Sequence, residues 1–355
     1  MNLKKNTIYK TVIVILFKTV LFAEGVWVNY GWELFEYVID ARTASLGSAT
    51  TAYNFDYIQS SIINPSFVSK PIKDIALTHQ SRYAGLINSE LVGIQLMQGS
   101  KKINFNIIYQ GISNIPDTRM MLLDWGEDGQ FGTNDPGEGN GVLDQGERLD
   151  KEKLRYFNQH QFGLHSAFHS KIFDFPIGIG YKVLSYILDN HFALGVGIDI
   201  GYNTIVNQSS IGFVIRNFPA SGLIWDSGLV EGTTPSFSLG LFHPLNYFTA
   251  SHIQINTMTK LDGSFSNITL DSHFKSNRFA LNMAFGVECI YKNKLMIRFG
   301  RNSVNNYTGG IGVKIVGIDL DYAFLFPTSN SMIGNHHLIS LNLSLNWISS
   351  IILNG

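Results

Sequence analysis

The alternation of apolar and polar positions between Phe192 and Asn203 sets the reading of the chain. Phe192, Leu194, Val196, Ile198, Ile200 and Tyr202 are large and apolar, and Ala193, Gly195, Gly197, Asp199, Gly201 and Asn203 between them are small or polar. Successive strand side chains point to opposite faces, so this run has one greasy face and one small, polar face. A run of about 12 residues at ~3.3 Å each, tilted, crosses the ~30 Å hydrocarbon core of a bilayer. Strands of soluble sandwiches more often run about 5 or 6 residues. An aromatic at each end, Phe192 and Tyr202, suits the interfacial girdles of a membrane barrel.

The pattern repeats. Phe279, Leu281, Met283, Phe285 and Val287 alternate with Ala280, Asn282, Ala284, Gly286 and Glu288, and Ile339, Leu341, Leu343, Leu345 and Trp347 alternate with Ser340, Asn342, Ser344 and Asn346. Strands are predicted at Ile75–Arg82, Ile87–Gln98, Ile103–Ser113, Tyr156–Ser170, Phe175–Ile187, Phe192–Ile205, Ile211–Asn217 and Ser236–Phe242. Further strands are predicted at Thr249–Thr257, Phe265–Phe274, Arg278–Tyr291, Leu295–Arg301, Thr308–Val316, Ile318–Phe326 and Leu338–Trp347. Tight polar connections such as Asp189-Asn190 and Lys292-Asn293-Lys294 fit hairpins. An open sheet edge in lipid leaves backbone groups unpaired, so the expectation is a closed antiparallel transmembrane β-barrel of roughly 14 strands.

Before this region the chain reads differently. Lys4 and Lys5, the apolar run Thr11–Phe22 and Ala23 read as a secretory signal peptide over residues 1–23, with Lys18 and Leu21 departing from the ideal pattern. Residues 24–70 follow, rich in aromatics at Trp27, Tyr30, Trp32, Phe35 and Tyr37, then small residues from Asp40 to Tyr53 with no period of two, closed by Asn64-Pro65. This segment is expected to be a plug of short helix or coil inside the barrel, with residues 71–355 forming the wall.

Composition supports a wall in lipid. Charged residues make up 15% of the chain, below the roughly 25% of soluble domains, with 34 glycines and 13% aromatics. A net charge of −1 gives no support for nucleic-acid binding. The single cysteine, Cys289, excludes an intrachain disulfide. No run reaches ~18 consecutive apolar residues, so a transmembrane helix is not expected.

One stretch breaks the alternation, Asp124 to Glu147 within a long acidic loop over 122–154, expected on the extracellular side. Calcium loops of the EF-hand type take oxygen ligands at positions 1, 3, 5, 7, 9 and 12 with Gly at 6. With Gly141 at position 6, Glu138, Asn140, the Val142 carbonyl, Asp144 and Glu147 fall on ligand positions, while position 1 is Pro136. With Gly129 at position 6, Asp124, Asp128 and Asp135 do so. The candidate Ca²⁺ ligands are therefore Asp124, Asp128, Asp135, Glu138, Asn140, Asp144 and Glu147, against the alternative of a solvated acidic loop.

Several ordered motifs carry a family likeness. They are Phe35-Glu-Tyr-Val, Ala41-Arg42-Thr-Ala-Ser-Leu46-Gly47-Ser-Ala and Asn64-Pro65, then Asn217, Pro235 and Leu239-Gly240. Arg298-Phe-Gly300, Gly310-Ile-Gly312, Asp321-Tyr322-Ala323 and His337-Leu-Ile-Ser340-Leu341 follow. In these the chain resembles the PorV/PorQ family of outer-membrane proteins, which are similar to the FadL-type barrels of long-chain fatty acid transport. It departs from that pattern at Gly47-Ser48, where a Gly-Gly is usual, and at Asn64-Pro65-Ser66, where Asn-Pro-Ala is usual. The resemblance implies an outer-membrane barrel acting either in passage of hydrophobic or small solutes or as an accessory of type IX secretion that binds exported or secretion-system proteins. It implies outer-membrane lipid as a partner and leaves the oligomeric state open.

No catalytic constellation is expected. His336-His337 are adjacent in extended chain, where their rings diverge, and His165 and His169 share a parity that His160 does not. Asp199, Glu288, Asp319 and Asp321 are expected to pair with Lys314, Arg298 or Arg301 across the lumen. No local signature selects a serine nucleophile of the outer-membrane lipase kind. Of the readings, solute passage leads, with the secretion accessory as the alternative and a lipid-modifying enzyme behind both. Because clustered carboxylates repel unless a cation separates them, millimolar calcium is expected to slow hydrogen exchange across Asp124–Glu147; exchange unaffected by calcium overturns the calcium reading.

Overall fold

A computed structural model describes residues 32–37, 39–68, 70–172, 175–245, 252–265, 273–276, 279–304, 306–326 and 335–354. The signal segment at 1–23, with Trp27 and Tyr30, lies outside the described residues.

Fourteen antiparallel strands form the wall. In chain order they are β1 (Asp74–Arg82), β2 (Ile87–Gln98), β3 (Lys101–Asp117), β4 (Arg155–Ile172), β5 (Phe175–Leu188), β6 (His191–Val206) and β7 (Ser209–Arg216). The remainder are β8 (Ser236–Leu245), β9 (Ile253–Phe265), β10 (Phe279–Tyr291), β11 (Leu295–Arg301), β12 (Tyr307–Ile315), β13 (Ile318–Phe326) and β14 (His336–Ser344). Each pairs with the next, and β14 returns to β1 in a register from Asp74 opposite Ser344 to Ser81 opposite His337. The ring is closed, so no wall edge offers unpaired backbone groups to lipid. Among the described residues no helix is long and apolar enough to cross a membrane.

The alternation holds through the wall. On β6, Leu194 and Val196 stand 51% and 68% exposed on the outer face, while Ala193 and Asp199 are buried within. The tight connections use left-handed backbone at Asp189, Asn207, Lys292 and Asn293, as two-residue hairpin turns require. One end of the barrel carries only short turns where they are described, such as Asn207-Gln208 and Val316-Gly317, and the other carries the long connection from β3 to β4. The long-loop end is the extracellular one by the rule for outer-membrane barrels.

Three expectations of detail are corrected. The strand predicted at Thr249–Thr257 is only the first part of β9, because Thr257 to Phe265 continues the ladder against β10 from Val287 to Phe279; of the strand predicted at Phe265–Phe274, Phe265 ends β9, Phe274 opens a three-residue strand paired to β10, and residues 266–272 lie outside the described residues. The alternation into Trp347 does not continue the last strand: β14 stops at Ser344, and α4 (Leu345–Asn354) follows, with Trp347 packed over Gly317. Strand β7 also runs further than read. After Asn217–Ala220 it resumes as Ser221–Trp225 against β6, and Val230–Thr233 pairs back onto that extension before β8.

The described part of the N-terminal segment fills the interior. It folds as α1 (Leu34–Tyr37), α2 (Ala41–Ser45), α3 (Ser60–Ile63) and a 3₁₀ turn at Pro65–Phe67. Asp40 caps α2, its carboxylate accepting from the Thr43 amide at 2.9 Å and the Thr43 hydroxyl at 2.7 Å. Wall side chains satisfy the other loose ends. The Ala41 amide donates to Ser340 Oγ at 2.7 Å, and Thr308 Oγ1 both accepts from the Gly47 amide and donates to the Ser45 carbonyl. The backbone at Pro65 presses so closely on β5 that a Cβ at Gly178 would sit 2.0 Å from the Pro65 carbonyl carbon. The small inward residues of the alternation are what make room for this contact.

Candidate functional site in the barrel interior

Two buried charge clusters stand out in the interior, beside the largest of the four apolar clusters among the described residues. The first joins α2 to the wall. Glu288 on β10 faces inward because it shares the parity of Ala284 and Gly286. It accepts from Arg42 Nε at 2.9 Å, Arg42 Nη2 at 3.0 Å, Arg298 Nε at 2.8 Å and Tyr53 Oη at 2.7 Å. Arg298 in turn donates from Nη1 to Asp321 Oδ1 at 2.7 Å, and Tyr57 Oη donates to Asp321 Oδ2 at 3.1 Å. Arg42 also stands 4.6 Å from the centroid of Phe55. Two guanidinium groups and two carboxylates thus share one desolvated site, where fixed donors replace the water that each charge has lost.

The second cluster lies on β5, β6 and the break after β7. Lys182 Nζ is 2.7 Å from Asp199 Oδ1 and 2.7 Å from Asn217 Oδ1, and the Asn217 amide donates to Asp199 Oδ1 at 2.9 Å. The ammonium also faces Trp32 and Phe35, 5.4 and 5.5 Å from their ring centroids. His165 is fully buried beside this group, and neither ring nitrogen has a hydrogen-bond partner.

The third is apolar and lies toward the extracellular mouth. Trp32, Leu34 and Phe35 of the N-terminal segment pack with Leu91, Ile108, Leu184, Ala193 and Leu223 of the wall, and Tyr186 and Trp225 lie against them. Tyr186 and Trp225 meet edge to face at 5.3 Å between centroids. The cluster's buried members are no more than 3% exposed, so a hydrophobic molecule reaches this apolar contact only where the side chains of the N-terminal segment withdraw from the wall.

Sequence reasoning placed part of this. Glu288 and Asp321 pair with Arg298, and Asp319 with Lys314 at 2.5 Å, as expected of the partners, but these pairs join adjacent or next-but-one strands rather than crossing the lumen. Asp199 takes a partner outside the expected set, Lys182 on the neighbouring strand. Arg301 leaves the inward set because it shares the outward parity of Phe299. Arg42 enters the sequence reading only within a motif, and its pairing with Glu288 is not signalled in a segment without strand periodicity, whereas Lys182 was detectable by its inward parity with Gly180 and Leu184. His165 is buried inside as its parity suggested, while His169 is exposed.

The seven candidate calcium ligands share one loop, braced by the short pair Leu122–Leu123 and Arg148–Leu149. Asp124 accepts from the Gly139 amide at 2.8 Å and the Gly141 amide at 2.6 Å; the Gly141 bond above all holds its carboxyl below the usual range. Asp135 accepts from the Asp128 amide, Glu138 from the Gly132 and Asn134 amides, Asp144 from the Asn140 side chain, and Glu147 from the Gly126 and Asp144 amides. Among the described residues no three or more His, Cys, Asp or Glu side chains are grouped to hold a metal. The calcium proposal therefore requires these carboxylates to exchange amide partners for the cation.

A closed ring with a greasy outside and a polar, filled inside has one stable setting, a bilayer. The chain is a transmembrane β-barrel. Its sequence matches no family model and no curated protein. Solved structures with a similar course include the toluene transporter TodX of Pseudomonas putida, at 11% identity and a TM-score of 0.49, covering 85% of this chain and 96% of that one. The outer membrane protein Omp33 of Acinetobacter baumannii is similar at 8% identity and a TM-score of 0.37, covering 77% and 97%.

Removing one partner of a buried ion network costs about 3–5 kcal/mol. Glu288→Leu is therefore expected to undock α2, measured as trypsin cleavage at Arg42 in detergent-solubilised protein whose barrel stays folded. Continued protection at Arg42 would show that the network does not hold the segment.

Proposed function

We propose that the barrel passes hydrophobic or small solutes across the outer membrane, with residues 32–68 acting as a displaceable plug. The observation that carries this is the inward apolar cluster around Trp32, Phe35, Leu184 and Leu223, placed under the extracellular mouth and built half from the wall and half from the segment. Under this reading a solute arriving from outside displaces Trp32 and Phe35 from that packed cluster, and the ion network beyond it fastens the segment that blocks the way. This reading agrees with the FadL-type resemblance in the sequence. Deletion of residues 32–67 is expected to raise single-channel conductance in a planar bilayer, and Glu288→Leu to raise it in part. Conductance equal to that of the unaltered barrel in both variants would rule out a plug in that segment.

A second reading has its own support. The acidic loop exposes Phe131, Val142 and Leu143, the first at 81%, on the extracellular side. Exposed apolar side chains rimmed by polar groups mark protein contacts, as a PorV/PorQ-type secretion accessory would need. Under this reading, deleting residues 122–154 reduces export of surface proteins while leaving the barrel in the membrane; undiminished export would sink it.

A further inference from the structure

The outer wall is not uniformly filled. At the extracellular ends of β10 to β13 the face turned to lipid has a notch of about 290 Å³. Its cause is Gly309 on β12, an outward position without a side chain. A Cβ added there would meet nothing nearer than the Arg298 carbonyl oxygen at 3.8 Å and Phe299 at 4.0 Å. Around the gap stand Phe285, Val287, Phe299, Tyr307 and Phe326. All five are exposed, Phe299 most at 65%.

Beside the notch is a cation. Arg301 closes β11, directly opposite Phe285 on one side and Tyr307 on the other. Its guanidinium lies 5.6 Å from the Tyr307 ring centroid. Its Nε is buried with no hydrogen-bond partner, and it has no ion pair among the described residues. A half-buried guanidinium at the lipid interface that lacks an anion is costly unless an acceptor comes from outside the chain.

We propose that this place is a binding site for one anionic, phosphate-bearing membrane lipid of the extracellular leaflet. An acyl chain lies in the notch at Gly309 between Phe299 and Tyr307, and the headgroup phosphate accepts from Arg301. The aromatic walls supply flat apolar contact for a flexible chain, and the planar guanidinium matches phosphate geometry. The site is on the outside of the wall and owes nothing to the interior route.

The test uses the full chain in nanodiscs of phosphatidylcholine with a minor share of phosphatidylglycerol. The barrel is released gently and its retained lipids are counted by native mass spectrometry. The unaltered barrel is expected to keep phosphatidylglycerol well above its bulk share. Arg301→Gln should lower that enrichment about fivefold. Gly309→Leu, whose Cβ meets nothing nearer than 3.8 Å and whose side chain then occupies the notch, should lower retention of either lipid by at least as much. Lys292→Gln serves as the control, since Lys292 also stands by a tyrosine, Tyr291 at 5.2 Å, but at the opposite rim and away from the notch. Retention in proportion to bulk, no response to either Arg301→Gln or Gly309→Leu, or an equal loss from Lys292→Gln would each overturn the site. Should Gly309→Leu fail to fold, Arg301→Gln against Lys292→Gln still decides.

Discussion

Hydrocarbon offers a backbone amide nothing to bond with, and that one fact governs the molecule. Each strand needs a partner on both sides, so the sheet closes where β14 meets β1. Closure creates an inside, and the inside then has to be filled or wetted. Here it is filled. Inward positions are small where the N-terminal segment presses on the wall, as at Gly178 under Pro65, and charged where a partner from that segment arrives, as at Glu288 under Arg42. Wall and filling are therefore two consequences of the same alternation, one face written for lipid and the other for a specific guest.

The guest is held in two different ways. Against β10, β12 and β14, side chains of Glu288, Thr308 and Ser340 satisfy backbone and guanidinium groups that would otherwise be buried unpaired. Toward the extracellular end, contact is by packing, with Trp32 and Phe35 against Leu184 and Leu223. Polar fastening is directional and is lost abruptly when one partner goes, whereas packing yields by degrees as side chains shift. The segment is accordingly anchored by polar bonds from Ala41 to Gly47 and held by compliant packing at Trp32 and Phe35.

Much of the wall was legible because a two-residue period is a local property. The run Phe192 to Asn203 states both its conformation and its faces, and the structure keeps both. What escaped was whatever depends on distant partners or on a change of period. The alternation through Leu345 and Trp347 reads as strand, yet the ladder ends at Ser344 and Trp347 is taken up by Gly317 from another turn. The break after Arg216 shifts the inward parity from even positions, such as Val214, to odd ones, such as Leu223, so no single periodicity could span it. In the interior, Glu288, Arg298 and Asp321 declared themselves as inward charges, but nothing local to Arg42 announced that it completes their set.

That set has a consequence for what the interior discriminates. Arg42 and Arg298 carry two positive charges, Glu288 and Asp321 two negative ones, and Lys182 with Asp199 and Lys314 with Asp319 repeat the balance one to one. Charges matched at contact distance project little field beyond themselves. Under the solute-passage reading, these pairs offer an ion neither a ring of countercharge to replace its hydration shell nor a single-signed barrier that sorts cations from anions. Discrimination in such a passage falls to the cost of shedding water, which is highest for ions and least for molecules that hold little water to begin with.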